Sequence, residues 1–176
     1  MFHVRVREPG ALHLAAQVPP KASRAYWQRS LPDLRVRYDD TCAYLGIRIP
    51  DSTAFSTVDH FVPRKVAPAL ANEWQNFRLA SHPVNTYKRE QVLPIDPFTV
   101  AHGEFALDLL TGEVYVGQTN RATDVGETIE LLRLNDGRFV GDRRRYIDDY
   151  LEQQISRQHL ARWFPFGAAE LTRQGH

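Results

Sequence analysis

The sequence contains a single cysteine and no long apolar run. Cys42 alone cannot form an internal disulfide, and it cannot build a zinc site made of cysteines. No apolar stretch approaches the ~18 residues that a membrane span requires. Residues 1–5 lack the basic start, apolar stretch and small-residue cleavage site that would mark a signal peptide. These absences favour a soluble protein of the reducing cytoplasm, without a membrane partner.

Internal repeats and low-complexity tracts are also missing. The chain has 176 residues, of which 43% are hydrophobic and 24% charged. These values are typical of globular domains and exclude a wholly disordered chain. The length predicts one domain, or one domain with an extension.

Lysine is scarce, since nineteen of the 22 basic residues are arginine. The planar guanidinium suits phosphate and carboxylate, so the bias is compatible with a nucleic-acid partner. A high-GC genome produces the same bias. Basic side chains outnumber acidic ones eight to four in residues 1–50, whereas acidic ones lead twelve to nine in residues 101–176. Arginine content by itself therefore decides nothing about function.

The pattern of breakers and β-rich runs predicts an α+β fold. In the first half we expect a short helix at Lys21–Leu31, a strand at Phe55–Val62 that stops at Pro63, and a second strand at Asn76–Ala80. A short helix should follow from Val84 to about Gln91.

The second half differs in character. Thr111-Gly112, between two β-rich runs, predicts a β-hairpin, and a helix is expected to begin near Thr128. From Gly141 to Phe164 the apolar spacing predicts one long amphipathic helix.

Three side chains in the first half can supply the chemistry of phosphodiester cleavage. Asp59 and His60 are adjacent at the end of the predicted strand, and Asn85 lies at the start of the predicted helix. Carboxylate and amide oxygens suit Mg²⁺ or Mn²⁺, and an imidazole can accept a proton from water at neutral pH. A cation held by only two protein ligands keeps positions open for water and a phosphate oxygen.

The joint spacing carries more weight than any of these residues alone. An isolated Asn before a helix is usually a cap, and an isolated Lys88 would usually be a surface residue. Here, however, Asp59-His60 precedes Asn76, and Asn85 follows nine residues after that, with Lys88 one helical turn further on the same side.

This spacing resembles the HNH nuclease superfamily, whose fold is the ββα-metal finger. The layout looks most like the branch that includes the HNH subunit of Septu-type anti-phage defence systems. The residues that carry the resemblance are Cys42-Ala43-Tyr44-Leu45-Gly46, Asp59-His60, Glu73-Trp74-x-Asn76 and Asn85-x-x-Lys88.

The resemblance implies a domain organisation. Residues 1–34 would form an N-terminal extension with a short helix, and residues 35–97 the ββα-metal core. Residues 98–176 would form a hairpin and helical extension packed on that core.

The resemblance also implies roles for individual residues. His60 would be the general base, Asp59 and Asn85 the catalytic metal ligands, and Asn76 a structural residue that braces the loop through backbone hydrogen bonds. Phosphate-contact candidates are Lys88, Arg64 and Lys65.

One departure concerns a structural zinc that many relatives hold with two Cys-x-x-Cys pairs. The matching positions here are Cys42, Leu45, Ser81 and Val84, so three of the four ligands are absent. We therefore expect no structural zinc, and we expect Tyr44, Leu45, Phe77, Leu79 and Val84 to hold the finger by apolar packing.

The sequence thus predicts a metal-dependent HNH endonuclease that uses one Mg²⁺ or Mn²⁺ and acts on DNA. Its partner, by resemblance, would be an ATPase subunit of a prokaryotic defence operon. Two alternatives stay open. The chain can be a catalytically silent nucleic-acid-binding or regulatory subunit on the same scaffold, or it can perform the same chemistry on RNA.

Overall fold

The computed structural model describes residues 26–50 and 55–176, and it has the predicted α+β composition. Two small antiparallel sheets are surrounded by helices. The strands are β1 (Ser56–His60), β2 (Phe77–Ser81), β3 (Phe105–Leu107) and β4 (Val114–Val116). The helices are α1 (Tyr26–Arg29), α2 (Leu31–Arg37), α3 (His82–Lys88), α4 (Ala122–Leu131), α5 (Gly137–Leu151), α6 (Arg157–Trp163) and α7 (Pro165–Arg173).

The unit β1–β2–α3 positions the residues of interest. β1 pairs antiparallel with β2, so that Asp59 lies opposite Arg78 and His60 opposite Phe77. β2 continues directly into α3, with Pro83 in the first helical turn, where its missing N–H costs no hydrogen bond. The two strands and the helix predicted for this part of the chain are present, with ends shifted by a few residues. Of the expected helix at Lys21–Leu31, residues 21–25 lie outside the described part.

The predicted hairpin is present as β3 and β4, paired from Phe105 opposite Val116 to Leu107 opposite Val114. Gly112 in the connecting loop has a φ of +75°, which supplies the left-handed conformation expected of the Thr111-Gly112 turn. The helix expected from Thr128 begins earlier, since α4 starts at Ala122.

The prediction of one helix from Gly141 to Phe164 is wrong. α5 ends at Leu151, and Gln153 adopts a left-handed φ of 59°. The side chain of Ser156 then accepts a hydrogen bond from the N–H of His159 and starts α6. The polar residues between the two helices terminate one and cap the next, while the apolar spacing continues across the break.

One hydrophobic core joins all parts of the described chain. It contains Leu34 from α2, Leu79 from β2 and Ile147 from α5. This core also contains the five side chains that were expected to hold the finger by apolar packing, at positions 44, 45, 77, 79 and 84. Every helix in the described part of the chain is too short or too polar to cross a bilayer.

Candidate active site

A cavity of about 420 Å³ lies where the end of β1 meets α3. Asp59, His60 and Asn85 all line it, although they come from separate places in the sequence. Thr57 and Asp59 share one face of β1 because strand side chains alternate, and α3 packs on that face. The residues that line the cavity are Trp27, Val58, Asp59, His60, Pro63, Arg64, Lys65, Asn85, Arg89 and Glu90.

The Asp59 carboxylate is buried and held by two donors. Its Oδ1 accepts from the Lys88 ammonium at 3.0 Å, and its Oδ2 accepts from the Tyr44 hydroxyl. The Lys88 side chain is fully buried and also donates to the carbonyl oxygen of His60 at 2.8 Å. Burial lowers the pKa of Lys88, and Asp59 opposes this by stabilising the charged form. Burial, with Asp59 adding to it, raises the pKa of Tyr44, so the hydroxyl keeps its proton.

Each carboxylate oxygen of Asp59 still has an unused lone pair, because an ionised carboxylate can accept about four hydrogen bonds. The two donors therefore fix the orientation of Asp59 and leave its oxygens able to accept further bonds. The positive charge of Lys88 lies beside the carboxylate and weakens its attraction for any further cation.

A hydrogen-bond chain fixes the amide of Asn85. The Thr57 hydroxyl donates to the carbonyl oxygen of Ala80 at 3.0 Å, so it must accept from Asn85. Asn85 Nδ2 donates to it at 3.0 Å. The amide oxygen of Asn85 is thereby turned away from Thr57, and no donor from the described residues reaches it. This oxygen is an open acceptor on a residue that lines the cavity.

His60 is half-buried and has a defined tautomer. Its Nε2 lies 2.9 Å from the carbonyl oxygen of Ala71. A carbonyl can only accept, so Nε2 carries the proton and Nδ1 keeps a free lone pair. Burial lowers the pKa of His60, and the charges of Arg64 and Lys88 lower it further against the opposing effects of Ala71 and Asp59. The neutral imidazole, with Nδ1 as its basic atom, is therefore the form expected at neutral pH.

Asn76 holds the loop between β1 and β2. Its Oδ1 accepts from the N–H of Val62 at 2.8 Å, and its Nδ2 donates to the carbonyl oxygens of Val62 and Leu70 at 2.9 and 3.2 Å. Asn76 is buried and does not line the cavity. Its contacts are therefore structural: they fix the chain just after His60.

The four positions at which the resemblance would place zinc ligands are buried. The N–H of Ser81 donates to Cys42 Sγ at 3.4 Å, and Leu45 and Val84 are buried. Burial raises the pKa of the Cys42 thiol, which keeps it protonated. These positions are therefore held by burial in the core and by one weak hydrogen bond.

The predicted phosphate-contact residues fall into different environments. Arg64 and Lys65 are exposed and line the cavity, with Arg64 over the ring of Trp27 and Lys65 paired with Glu90 at 2.6 Å. Lys88 differs from the expectation, since its ammonium is fully buried against Asp59 and does not line the cavity. The ammonium of Lys88 is thus bound in the interior of the β1–β2–α3 unit and is not placed to contact a phosphate in the cavity.

The donor atoms present fit a divalent cation of the hard type. Asp59 and Asn85 line a cavity large enough for water and a phosphate oxygen, while the other lining carboxylate, Glu90, is paired with Lys65. No group of three His, Cys, Asp or Glu side chains comes together within residues 26–50 and 55–176. A cation held by Asp59 and Asn85 would therefore keep most of its positions for water and substrate.

Sequence reasoning missed three residues of this site. Tyr44 was expected only to pack in the core, whereas its hydroxyl donates to Asp59. Thr57 has a usable signal because it precedes Asp59 by two residues on one strand face. Arg89 lines the cavity but has no motif that would single it out.

No protein-family model matches the chain, and a search of curated proteins found no match.

Proposed function

We propose that this protein is a metal-dependent endonuclease of the HNH type, which hydrolyses phosphodiester bonds of DNA. The observation that carries the proposal is the convergence of Asp59, His60 and Asn85 on one cavity. The order of two antiparallel strands followed by α3 agrees with the resemblance to the ββα-metal finger.

In this proposal His60 is the general base. Its Nδ1 takes a proton from water, the resulting hydroxide forms a bond to phosphorus, and the bond from phosphorus to the 3′ oxygen breaks. The hydrogen bond from Nε2 to Ala71 holds the ring and stabilises the imidazolium that forms. A lowered pKa keeps His60 ready to accept that proton below neutral pH.

Asp59 and the Oδ1 atom of Asn85 would hold Mg²⁺ or Mn²⁺. When bound, such a cation supplies Lewis-acid stabilisation of charge on the phosphate and on the leaving oxygen. Tyr44 and Lys88 keep Asp59 in place, and Thr57 keeps the oxygen of Asn85 open. Arg64, exposed at the cavity, can meet the negative backbone of the substrate.

A second candidate function is nucleic-acid binding without cleavage. The observation that favours it is the ion pair between Asp59 and Lys88, which already neutralises the carboxylate proposed as a metal ligand. A scaffold of this kind would bind phosphate through its exposed arginines and would need no cation.

A cleavage assay separates the two functions. The purified protein is incubated with labelled single-stranded and duplex DNA and with RNA of matched sequence, in Mg²⁺, in Mn²⁺ or in EDTA. We expect metal-dependent cleavage of DNA that falls at least ~100-fold in His60→Ala. His82→Ala is the matched control, because His82 is exposed and does not line the cavity, and it should cleave at the wild-type rate.

Three results would decide otherwise. Cleavage by His60→Ala at the wild-type rate would refute the role of His60. Binding without cleavage in either metal would favour the silent scaffold, and preferential cleavage of RNA would change the substrate.

A further inference from the structure

The turn that follows α3 has a strained residue at the cavity. Arg89 has φ 51° and ψ −125°, and the N–H of Gln91 donates to the carbonyl oxygen of Lys88 at 3.0 Å. These angles and this hydrogen bond define a type II′ turn over residues 88–91, with Arg89 at its second position. That position is normally glycine, because a Cβ atom is poorly tolerated there.

The side chain of Arg89 makes no contact with other described residues that would offset the cost of this strained backbone. The residue is exposed, and its guanidinium has no ion pair, hydrogen bond or ring partner among the described residues. The other cations near the cavity differ: Lys65 pairs with Glu90 and Lys88 with Asp59. Arg64 lies over the ring of Trp27.

The strained turn places Arg89 directly after α3, beside the cavity. Its backbone N–H donates to the carbonyl oxygen of Asn85 at 3.0 Å, which ties the turn to the helix that carries the open amide oxygen. Arg89 lines the same cavity as His60 and Asn85. An unpaired guanidinium there presents a planar set of donors that matches a phosphodiester.

We propose that Arg89 binds a backbone phosphate of the nucleic acid at the cavity, and that this role is the reason why arginine occupies a turn position that normally holds glycine. The inference rests on the proposed nucleic-acid substrate. Arg89 lies just outside the motif Asn85-x-x-Lys88 that carries the resemblance.

Three variants test the proposal through binding and stability rather than cleavage. Arg89→Gly removes the guanidinium and relieves the turn, whereas Arg89→Ala removes the guanidinium and keeps the strain. Arg162→Ala is the control, since Arg162 is exposed on α6 and does not line the cavity. Binding of a labelled oligonucleotide is followed by fluorescence anisotropy in EDTA over a series of salt concentrations.

We expect both Arg89 variants to bind about 3- to 10-fold more weakly at low salt, with a salt slope reduced by about one. Arg89→Gly should also melt about 2–6 °C above the wild-type protein, and Arg89→Ala should not. Arg162→Ala should match the wild type in both measurements.

The outcomes separate this inference from the proposed function. If the wild type binds the oligonucleotide and both Arg89 variants bind as tightly with the same salt slope, the role of Arg89 is refuted while the proposed function stands. If the wild type neither binds nor cleaves nucleic acid, the proposed function fails and takes the inference with it.

Discussion

Asp59 and Glu170 are buried carboxylates in two regions of the described chain, and only the region of Asp59 has the features of a candidate active site. Asp59 in β1 is held by Tyr44 and Lys88. Glu170 in α7 accepts hydrogen bonds from the N–H of Leu107 at 3.1 Å and from the Arg173 guanidinium at 2.7 and 2.8 Å. Both carboxylates are almost fully buried.

The difference lies in what surrounds them. The donors around Glu170 tie α7 to β3, and Glu170 does not line the cavity. Asp59 lines the cavity together with Asn85, whose amide oxygen is open, and His60, whose Nδ1 keeps a lone pair. Both buried carboxylates stabilise the fold through their hydrogen bonds. Only the region of Asp59 also combines a cavity with polar atoms that have no partner among the described residues.

The largest effect on stability is expected from Lys88→Met. The substitution leaves the Asp59 charge buried with a single hydrogen-bond donor, and breaking a buried ion pair in this way costs about 3–5 kcal/mol. The matched control Lys65→Met breaks an exposed pair with Glu90 and should cost less than about 1 kcal/mol. Urea unfolding of both variants measures the difference, and equal losses would refute the structural importance assigned to Lys88.

Asn85→Ala should have the opposite profile, a large loss of activity with little loss of stability. We expect cleavage to fall at least ~100-fold, because the open oxygen ligand is removed. Unfolding free energy should change by no more than about 1 kcal/mol, since one partly exposed hydrogen bond to Thr57 is lost. Unchanged cleavage by a folded variant would remove Asn85 from the site.

Thr57→Val tests how the oxygen of Asn85 is kept open. Valine has the shape of threonine but cannot accept from Asn85 Nδ2, so the amide is free to rotate. Partners of metal ligands typically contribute about 10- to 100-fold to metal affinity, and we expect Mn²⁺ binding to weaken by that factor. Thr57→Ser retains the hydroxyl and should bind Mn²⁺ like the wild type. Equal affinity of the valine and serine variants would contradict the positioning role.

Glu170→Gln should produce the smallest effect, and only on stability. Glutamine keeps the shape of the side chain but loses the charge that faces Arg173, at a cost of about 1 kcal/mol. Cleavage should equal that of the wild type in a parallel assay. A loss of cleavage without a loss of stability would show that the two regions are not as separate as described.

Much of the β1–β2–α3 unit was predictable from the sequence. The β-rich run before Pro63 predicted the first strand, and Asp59-His60 and Asn85 were predicted to meet and do line one cavity, whereas Asn76 does not. Both predictions depend on local signals, because strand composition, breakers and helical spacing are properties of neighbouring residues.

The burial of Lys88 could not be predicted because it depends on a tertiary contact with Asp59. The single helix expected over 141–164 was wrong for a local reason, because the polar break after Leu151 interrupts a continuous apolar spacing. The strained conformation of Arg89 is equally invisible in a sequence in which glycine would be the signal for such a turn.

An anomalous-difference map from a crystal of the wild-type protein soaked in Mn²⁺ tests whether Asp59 and Asn85 share a cation. We expect one peak in the cavity, within about 2.5 Å of both the Asp59 carboxylate and the Oδ1 atom of Asn85. A peak elsewhere, or no peak at saturating Mn²⁺ in crystals that retain an ordered Asp59–Lys88 pair, would contradict this expectation.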